Sequence, residues 1–260
     1  MKKLLPVLLA MSLFPAAGMA AVKTELVEYR QGETVLQGWL AYDDAVKGPR
    51  AGVLLIHDWM GVTDHQKSQV EKLAALGYVA LAADVYGKGV RPADAQAASA
   101  ESGKYYKDSA LLRARARAGL DFLASRPQAD ATRLAVTGYC FGGAGALELA
   151  RSGAPLRAVV TFHGTLDALS GEPTKDLKAS VLVLHGADDP YVKAEKVAAF
   201  MAEMRAANAD WQLVQYSGAV HSFTDPRAGN DNSRGAAYNA VADRRSWEAM
   251  KDFFAERLAK

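Results

Sequence analysis

Apolar, β-branched runs recur along the chain at residues 24–29, 35–41, 52–56, 79–82, 134–137, 158–162, 181–185 and 212–216. Runs such as Gly52-Val53-Leu54-Leu55-Ile56 lack apolar–polar alternation, as strands do when helices cover both faces of a parallel sheet. From Gly52 onward a helical stretch follows these runs, except where a longer loop intervenes. The periodicity predicts helices over 65–76, 92–103, 107–126, 141–152, 193–207 and 242–258. Within the third, Leu111, Leu112, Ala116, Leu120 and Leu123 form one apolar stripe. The first two runs are separated by Gln31-Gly32-Glu33 and predict an antiparallel hairpin leading in. The expected architecture is α/β: a doubly wound, mostly parallel sheet of about eight strands with helices on both faces.

The N-terminus departs from this pattern. Met1-Lys2-Lys3 is followed by an apolar run to Met11 and by small residues ending Gly18-Met19-Ala20, the charge, hydrophobic stretch and small-residue exit of a secretory signal. Residues 1–20 are therefore expected to be a cleaved signal, and residues 21–260 a single domain in the periplasm or outside the cell. The run is too short to secure a membrane span, so no membrane anchor is expected after cleavage. Loss of Lys2 and Lys3 cancels the formal charge of +2, and a neutral chain argues against nucleic acid, whose phosphates need clustered Lys and Arg. Arg113, Arg115 and Arg117 alternate with Ala on a predicted helix and are expected to make a solvated face.

One cysteine, Cys140, stands in a chain apparently sent to an oxidising compartment. Its setting is Gly138-Tyr139-Cys140-Phe141-Gly142-Gly143, between a predicted strand and a predicted helix. This is a glycine–x–nucleophile–x–glycine elbow with Cys in place of Ser. Small residues two positions to either side let strand and helix approach while the nucleophile projects above the sheet edge. The helix N-terminus there favours negative charge. A phosphate-binding turn is disfavoured, because no Lys follows the glycines.

Such an elbow requires an acid and then a histidine further along the chain. His221, in Gly218-Ala219-Val220-His221-Ser222-Phe223, follows the last predicted strand, and imidazole both takes and returns a proton near neutral pH. The preceding strand ends in His185-Gly186-Ala187-Asp188-Asp189-Pro190-Tyr191-Val192. The Gly-x-x-Asp-x-x-Val spacing selects Asp189 to orient the imidazole, with Asp188 as the alternative. The oxyanion donors expected are the backbone N–H of Phe141 and, from the loop His57-Asp58-Trp59-Met60-Gly61, that of Trp59; the Trp59 indole itself reads equally as packing. His57, His163 and His185 stand at strand ends, but their spacing is not a ligand signature, and no metal is expected.

The segments His57-Asp58-Trp59-Met60-Gly61, Ala83-Asp84-Val85-Tyr86-Gly87, the Cys140 elbow, His185-Gly186-Ala187-Asp188-Asp189 and His221-Ser222-Phe223-Thr224 together resemble the dienelactone hydrolase family, a branch of the α/β-hydrolases with a cysteine nucleophile. The resemblance covers essentially all of residues 21–260. It implies a Cys-His-Asp triad that opens esters or lactones through an acyl-enzyme, without a cofactor. It also implies a thiol-modulating role for Asp58, where the family usually carries Glu. Members that act on dienelactone hold its carboxylate with basic residues. Lys88 and Arg91 are the candidates here, with Tyr86 and Tyr139 as further substrate-binding residues, while Asp225 stands where such enzymes are expected to carry an arginine. The partner expected is a small ester or lactone, met by a monomer or weak homo-oligomer. Two other readings remain open on the residues alone: a non-catalytic binding protein with Cys140 as core filler, and an acyltransferase.

Overall fold

A computed structural model describes residues 22–171, 174 and 177–259. The expected signal, residues 1–20, lies outside the described residues. Eight strands form one sheet: β1 (Val22–Gln31), β2 (Thr34–Asp43), β3 (Arg50–Ile56), β4 (Val79–Ala83), β5 (Ala129–Tyr139), β6 (Ala158–Phe162), β7 (Ser180–Gly186) and β8 (Trp211–Tyr216). Their spatial order is β1-β2-β4-β3-β5-β6-β7-β8. The entry hairpin β1–β2 is antiparallel, β2 meets β4 antiparallel, and every later pairing is parallel.

Six helices cover the sheet: α1 (Asp64–Ala75), α2 (Ala95–Lys107), α3 (Ser109–Ala124), α4 (Phe141–Arg151), α5 (Ala194–Ala206) and α6 (Ala240–Arg257). The wholly buried strand β3 shows how both faces are served. Successive side chains of a strand point to opposite faces, so Val53 and Leu55 join Leu73 of α1 and Phe254 of α6. Leu54 and Ile56 join Leu112 and Leu120 of α3 and Leu147 of α4. Complete burial of each such side chain is worth about 1.5–3 kcal/mol, which is why β3 reads as a continuous apolar run.

Strand β5 is longer than its apolar run predicts. Opposite β3 its register jumps, with Ala51 beside Asp130 but Gly52 beside Leu134. The extra residues sit at the strand's N-terminal end and leave the pairing from Leu134 to Gly138 regular. The arginine run also differs from expectation. Arg113 binds the buried carboxylate of Glu148 on α4, and Arg115 is buried and donates to Thr34 Oγ1 at 2.9 Å. Arg117 makes a solvent-exposed pair with Asp121. A helix packed against both α4 and the entry hairpin has little free face, so two of its three arginines turn inward.

Candidate active site

In parallel α/β sheets ligands gather beyond the C-terminal strand ends, and those ends carry most of the residues singled out above. Cys140 closes β5 and caps α4 with φ 55° and ψ −117°. Two glycines permit the bend: a Cβ on Gly138 would stand 2.0 Å from the Gly142 carbonyl oxygen, and one on Gly142 2.1 Å from that of Ile56. Strand and helix thus approach closer than any side chain allows, and the Cys140 side chain stays partly exposed in a buried neighbourhood.

His221 follows β8 and is fixed by backbone pairing with Gly235 and Ala237. Its Nδ1 lies 2.8 Å from Asp189 Oδ2. A carboxylate only accepts, so Nδ1 carries the proton and the opposite ring edge is free to engage sulfur. Cys140 shares the pocket wall with that ring and acts on its proton affinity. Burial alone would depress the imidazole, but the hydrogen bonds to Asp189 and Cys140 and their negative charges outweigh it and push the pKa up to about 10. Asp189 Oδ1 accepts from the Tyr191 N–H at 2.8 Å, holding the carboxylate in place. Asp188 instead accepts from the Gly218 N–H at 3.0 Å and caps a turn. The structure therefore brings Asp189, not Asp188, to the imidazole.

The N–H groups of Phe141 and Trp59 have no hydrogen-bond partner among the described residues, and both belong to segments that border Cys140. Phe141 is the first residue of α4, where the N–H has no partner within the helix. The Trp59 loop is clamped from several directions. Tyr86 donates its hydroxyl to the Trp59 carbonyl at 3.0 Å. Asp58 accepts from the Met60 N–H at 2.7 Å and from Gln66 Nε2 at 2.8 Å. Gln66 Oε1 in turn accepts from the Thr63 N–H and hydroxyl, which ties the loop to the start of α1. His57 Nδ1 donates to the Asp58 carbonyl at 2.6 Å while Nε2 accepts from the Val85 N–H at 3.1 Å. Both His57 nitrogens are thereby used.

Around Cys140 and His221 lies a pocket of about 420 Å³, walled by Trp59, Tyr106, Tyr191 and Val192. A neighbouring cleft of about 430 Å³ shares Trp59 and Ser222 and is bordered by Asp58, Asp225, Arg227 and Arg234. The sequence reading had not picked out Tyr106, Tyr191, Arg227 or Arg234. Tyr106 comes from α2, and its phenol is held protonated by burial and by the charge of Cys140.

Not every expected residue arrives. Lys88 pairs with Glu28 at 2.6 Å, and Arg91 donates to the Val90 carbonyl and lies 3.6 Å from Asp84; neither borders the pocket. Tyr86 is buried beneath the Trp59 loop, not open to a ligand. Tyr139 stacks on Phe162 at 4.6 Å and reaches only a small cavity bordered by Cys140. Asp58 is occupied by Met60 and Gln66, with Arg227 at 4.0 Å. Its carboxylate holds the loop. Among the described residues no three His, Cys, Asp or Glu side chains group as metal ligands, and no helix is long and apolar enough to cross a membrane.

Comparison with known proteins agrees with this geometry. The profile of the dienelactone hydrolase family matches residues 36–258. A crystal structure of P91, described as a dienelactone hydrolase-like promiscuous phosphotriesterase from metagenomic libraries, superposes with TM-score 0.86 at 44% identity, over 92% of this chain and 100% of that one. A solved structure named m3DLH gives TM-score 0.88 at 42% identity with the same coverage. A Salmonella typhimurium protein provisionally named a carboxymethylenebutenolidase is 31% identical over 236 residues, 85% of this chain and 83% of its own length. The chain therefore belongs to the dienelactone hydrolase family, within the α/β-hydrolases.

Proposed function

We propose that the protein hydrolyses small carboxylic esters or lactones through an acyl-Cys140 thioester. The observation that carries the reading is the Asp189–His221 hydrogen bond with Cys140 beside the imidazole in the wall of the 420 Å³ pocket. Cys140 Sγ attacks the carbonyl carbon, and the negative charge gathering on oxygen meets the N–H groups of Trp59 and Phe141. The bond to the leaving oxygen breaks as His221 gives it a proton. Water then attacks the thioester, its proton passes to His221, and the C–S bond breaks to return the thiolate–imidazolium pair.

The electrostatics suit both halves of this cycle. Two of the contributions holding His221 up to about 10 come from Cys140. Acylation ties up the Cys140 sulfur and removes both, so the imidazole turns into a base when water must be activated. The aromatic wall of Trp59, Tyr106 and Tyr191 suits an apolar acyl group. With Lys88 and Arg91 engaged elsewhere, a neutral ester fits this pocket better than one bearing a carboxylate near Tyr86.

The test is turnover of a p-nitrophenyl ester by wild type, Cys140→Ala and His221→Ala. Equal rates in all three would remove the proposal. The likeness to P91 favours a second reaction at the same sulfur, cleavage of an aryl phosphotriester, read by release of p-nitrophenol from diethyl p-nitrophenyl phosphate. The charge, apolar run and small residues of segment 1–20 support export to the periplasm, and a mature N-terminus at Ala21 in a periplasmic extract is the expected result.

A further inference from the structure

Cys140 also borders a third, smaller cavity, of about 40 Å³, together with Tyr139, His65, His163, Thr224 and Asp225. One water needs roughly 10–15 Å³ of such volume, so there is room for about three. Apolar cavities of this kind stay dry, whereas a polar one holds water, and this one is lined by a thiol, two imidazoles, two carboxylates and the hydroxyl-bearing Ser222, Thr224 and Tyr139. It shares only Trp59, Cys140 and Ser222 with the large pocket. An acyl group seated against Tyr106 and Tyr191 therefore leaves it unfilled.

His163 is the unusual member of this wall. It follows β6 with φ 41°, a left-handed conformation that costs a non-glycine residue energy and is concentrated at functional sites. The ring meets His221 edge to face, with centroids 5.1 Å apart, and Nε2 lies 2.8 Å from Thr224 Oγ1. Burial, together with the neighbouring His221 and His65, holds His163 well below the ordinary imidazole value. A neutral ring keeps one N–H and one lone pair. Whichever of these meets Thr224, Nδ1 faces its own backbone and has no partner on any other described residue, on a residue only 3% exposed. Buried ring nitrogens of this kind are satisfied by ordered water.

We propose that this cavity stores the water that deacylates Cys140, and that His163 and Thr224 are its positioning residues. The proposal rests on the acyl-enzyme reading above. A stored water moves from this cavity to the thioester, its oxygen bonds to the thioester carbon, its proton goes to His221, and the C–S bond breaks. The products are a carboxylic acid and the resting Cys140–His221 pair, so atoms and charge balance without a further reactant. His163 does not compete as base, since it holds its proton more weakly than His221.

The experiment separates the two half-reactions. Wild type, His163→Phe, Thr224→Val and Thr224→Ser are mixed with p-nitrophenyl acetate. The burst of p-nitrophenol reports acylation, and quenched samples weighed as intact protein report decay of the acyl-enzyme. Expected are burst rates within about twofold of wild type, with acyl decay slowed about tenfold in His163→Phe and Thr224→Val, the loss of one hydrogen bond to the attacking water. Thr224→Ser, which keeps the hydroxyl, restores the decay. Burst and decay falling together in Thr224→Val, or decay unchanged in both blocking variants, overturns the proposal. Wild type that never carries an acyl group on Cys140 overturns the reading beneath it instead.

Discussion

Helix α4 sits between two buried sets of charged groups that use their valences differently. Along its body, Glu148 is completely closed: Oε2 receives Arg113, while Oε1 receives Arg151 and the Leu169 N–H. Arg151 in turn reaches Glu203 and the carbonyls of Leu166 and Asp167. At its N-terminus, Asp189, His221 and Cys140 form a line that stops at a sulfur facing a pocket. The first set has nothing left to offer a ligand and serves to fasten α3, α4 and α5 together. The second is left open at one end, and chemistry needs that opening. Burial of charge by itself separates structural from reactive groups poorly; an unfilled last position separates them well.

Breaking each set in turn sharpens the contrast. Cys140→Ala is expected to lower kcat/KM for a p-nitrophenyl ester by roughly 10⁴-fold or more. Asp189→Asn is expected to act in the same direction, because the imidazole then loses the acceptor that fixes its tautomer. Glu148→Ala should show the opposite profile. It strands Arg113 and Arg151 and is expected to cost about 3–5 kcal/mol in urea unfolding, while activity per folded molecule is kept.

A smaller effect concerns pH. The His221 pKa is raised from 6.5 to about 10 on folding, so its contribution to stability is fully present below pH about 6.5 and is lost as pH rises through about 10. Urea midpoints of wild type should therefore fall towards alkaline pH more steeply than those of His221→Gln. The smallest effect belongs to Lys88, whose exposed pair with Glu28 lies away from the pocket. Lys88→Ala is expected to leave kcat/KM for a neutral ester unchanged. A clear rise in KM would instead bring that lysine back to the substrate.

What the sequence made legible follows from how local each requirement is. The Cys140 elbow is a steric demand of neighbouring residues: Gly138 and Gly142 have no room for a side chain, and that need is written within five positions. Asp189 and His221 were legible because each ends a strand at a place the chain order defines. Lys88, Arg91 and Arg115 were not, because each is claimed by groups that are distant along the chain or belong to the backbone. Glu28 lies on β1, the carbonyls around Arg91 belong to its own turn and to Gln37 on β2, and Thr34 begins β2. Tyr106 was hidden for a related reason, since nothing in the periodicity of α2 says which of two adjacent tyrosines faces the stack under Trp59 and which reaches sulfur. His163 read as a strand-end histidine like His57 and His185; only its backbone angle and its place in a cavity wall beside Cys140 set it apart.

The slipped register of β5 lies at the end of the sheet remote from the sulfur. That end bears a solvent-facing Ala131 and already accommodates residues that its neighbour β3 does not match. For anyone wishing to attach the enzyme to a bead or splice it to another polypeptide, this corner is the natural handle. A tether anchored there pulls on backbone that has no part in aligning the nucleophile, and it leaves the mouth of the pocket turned outward.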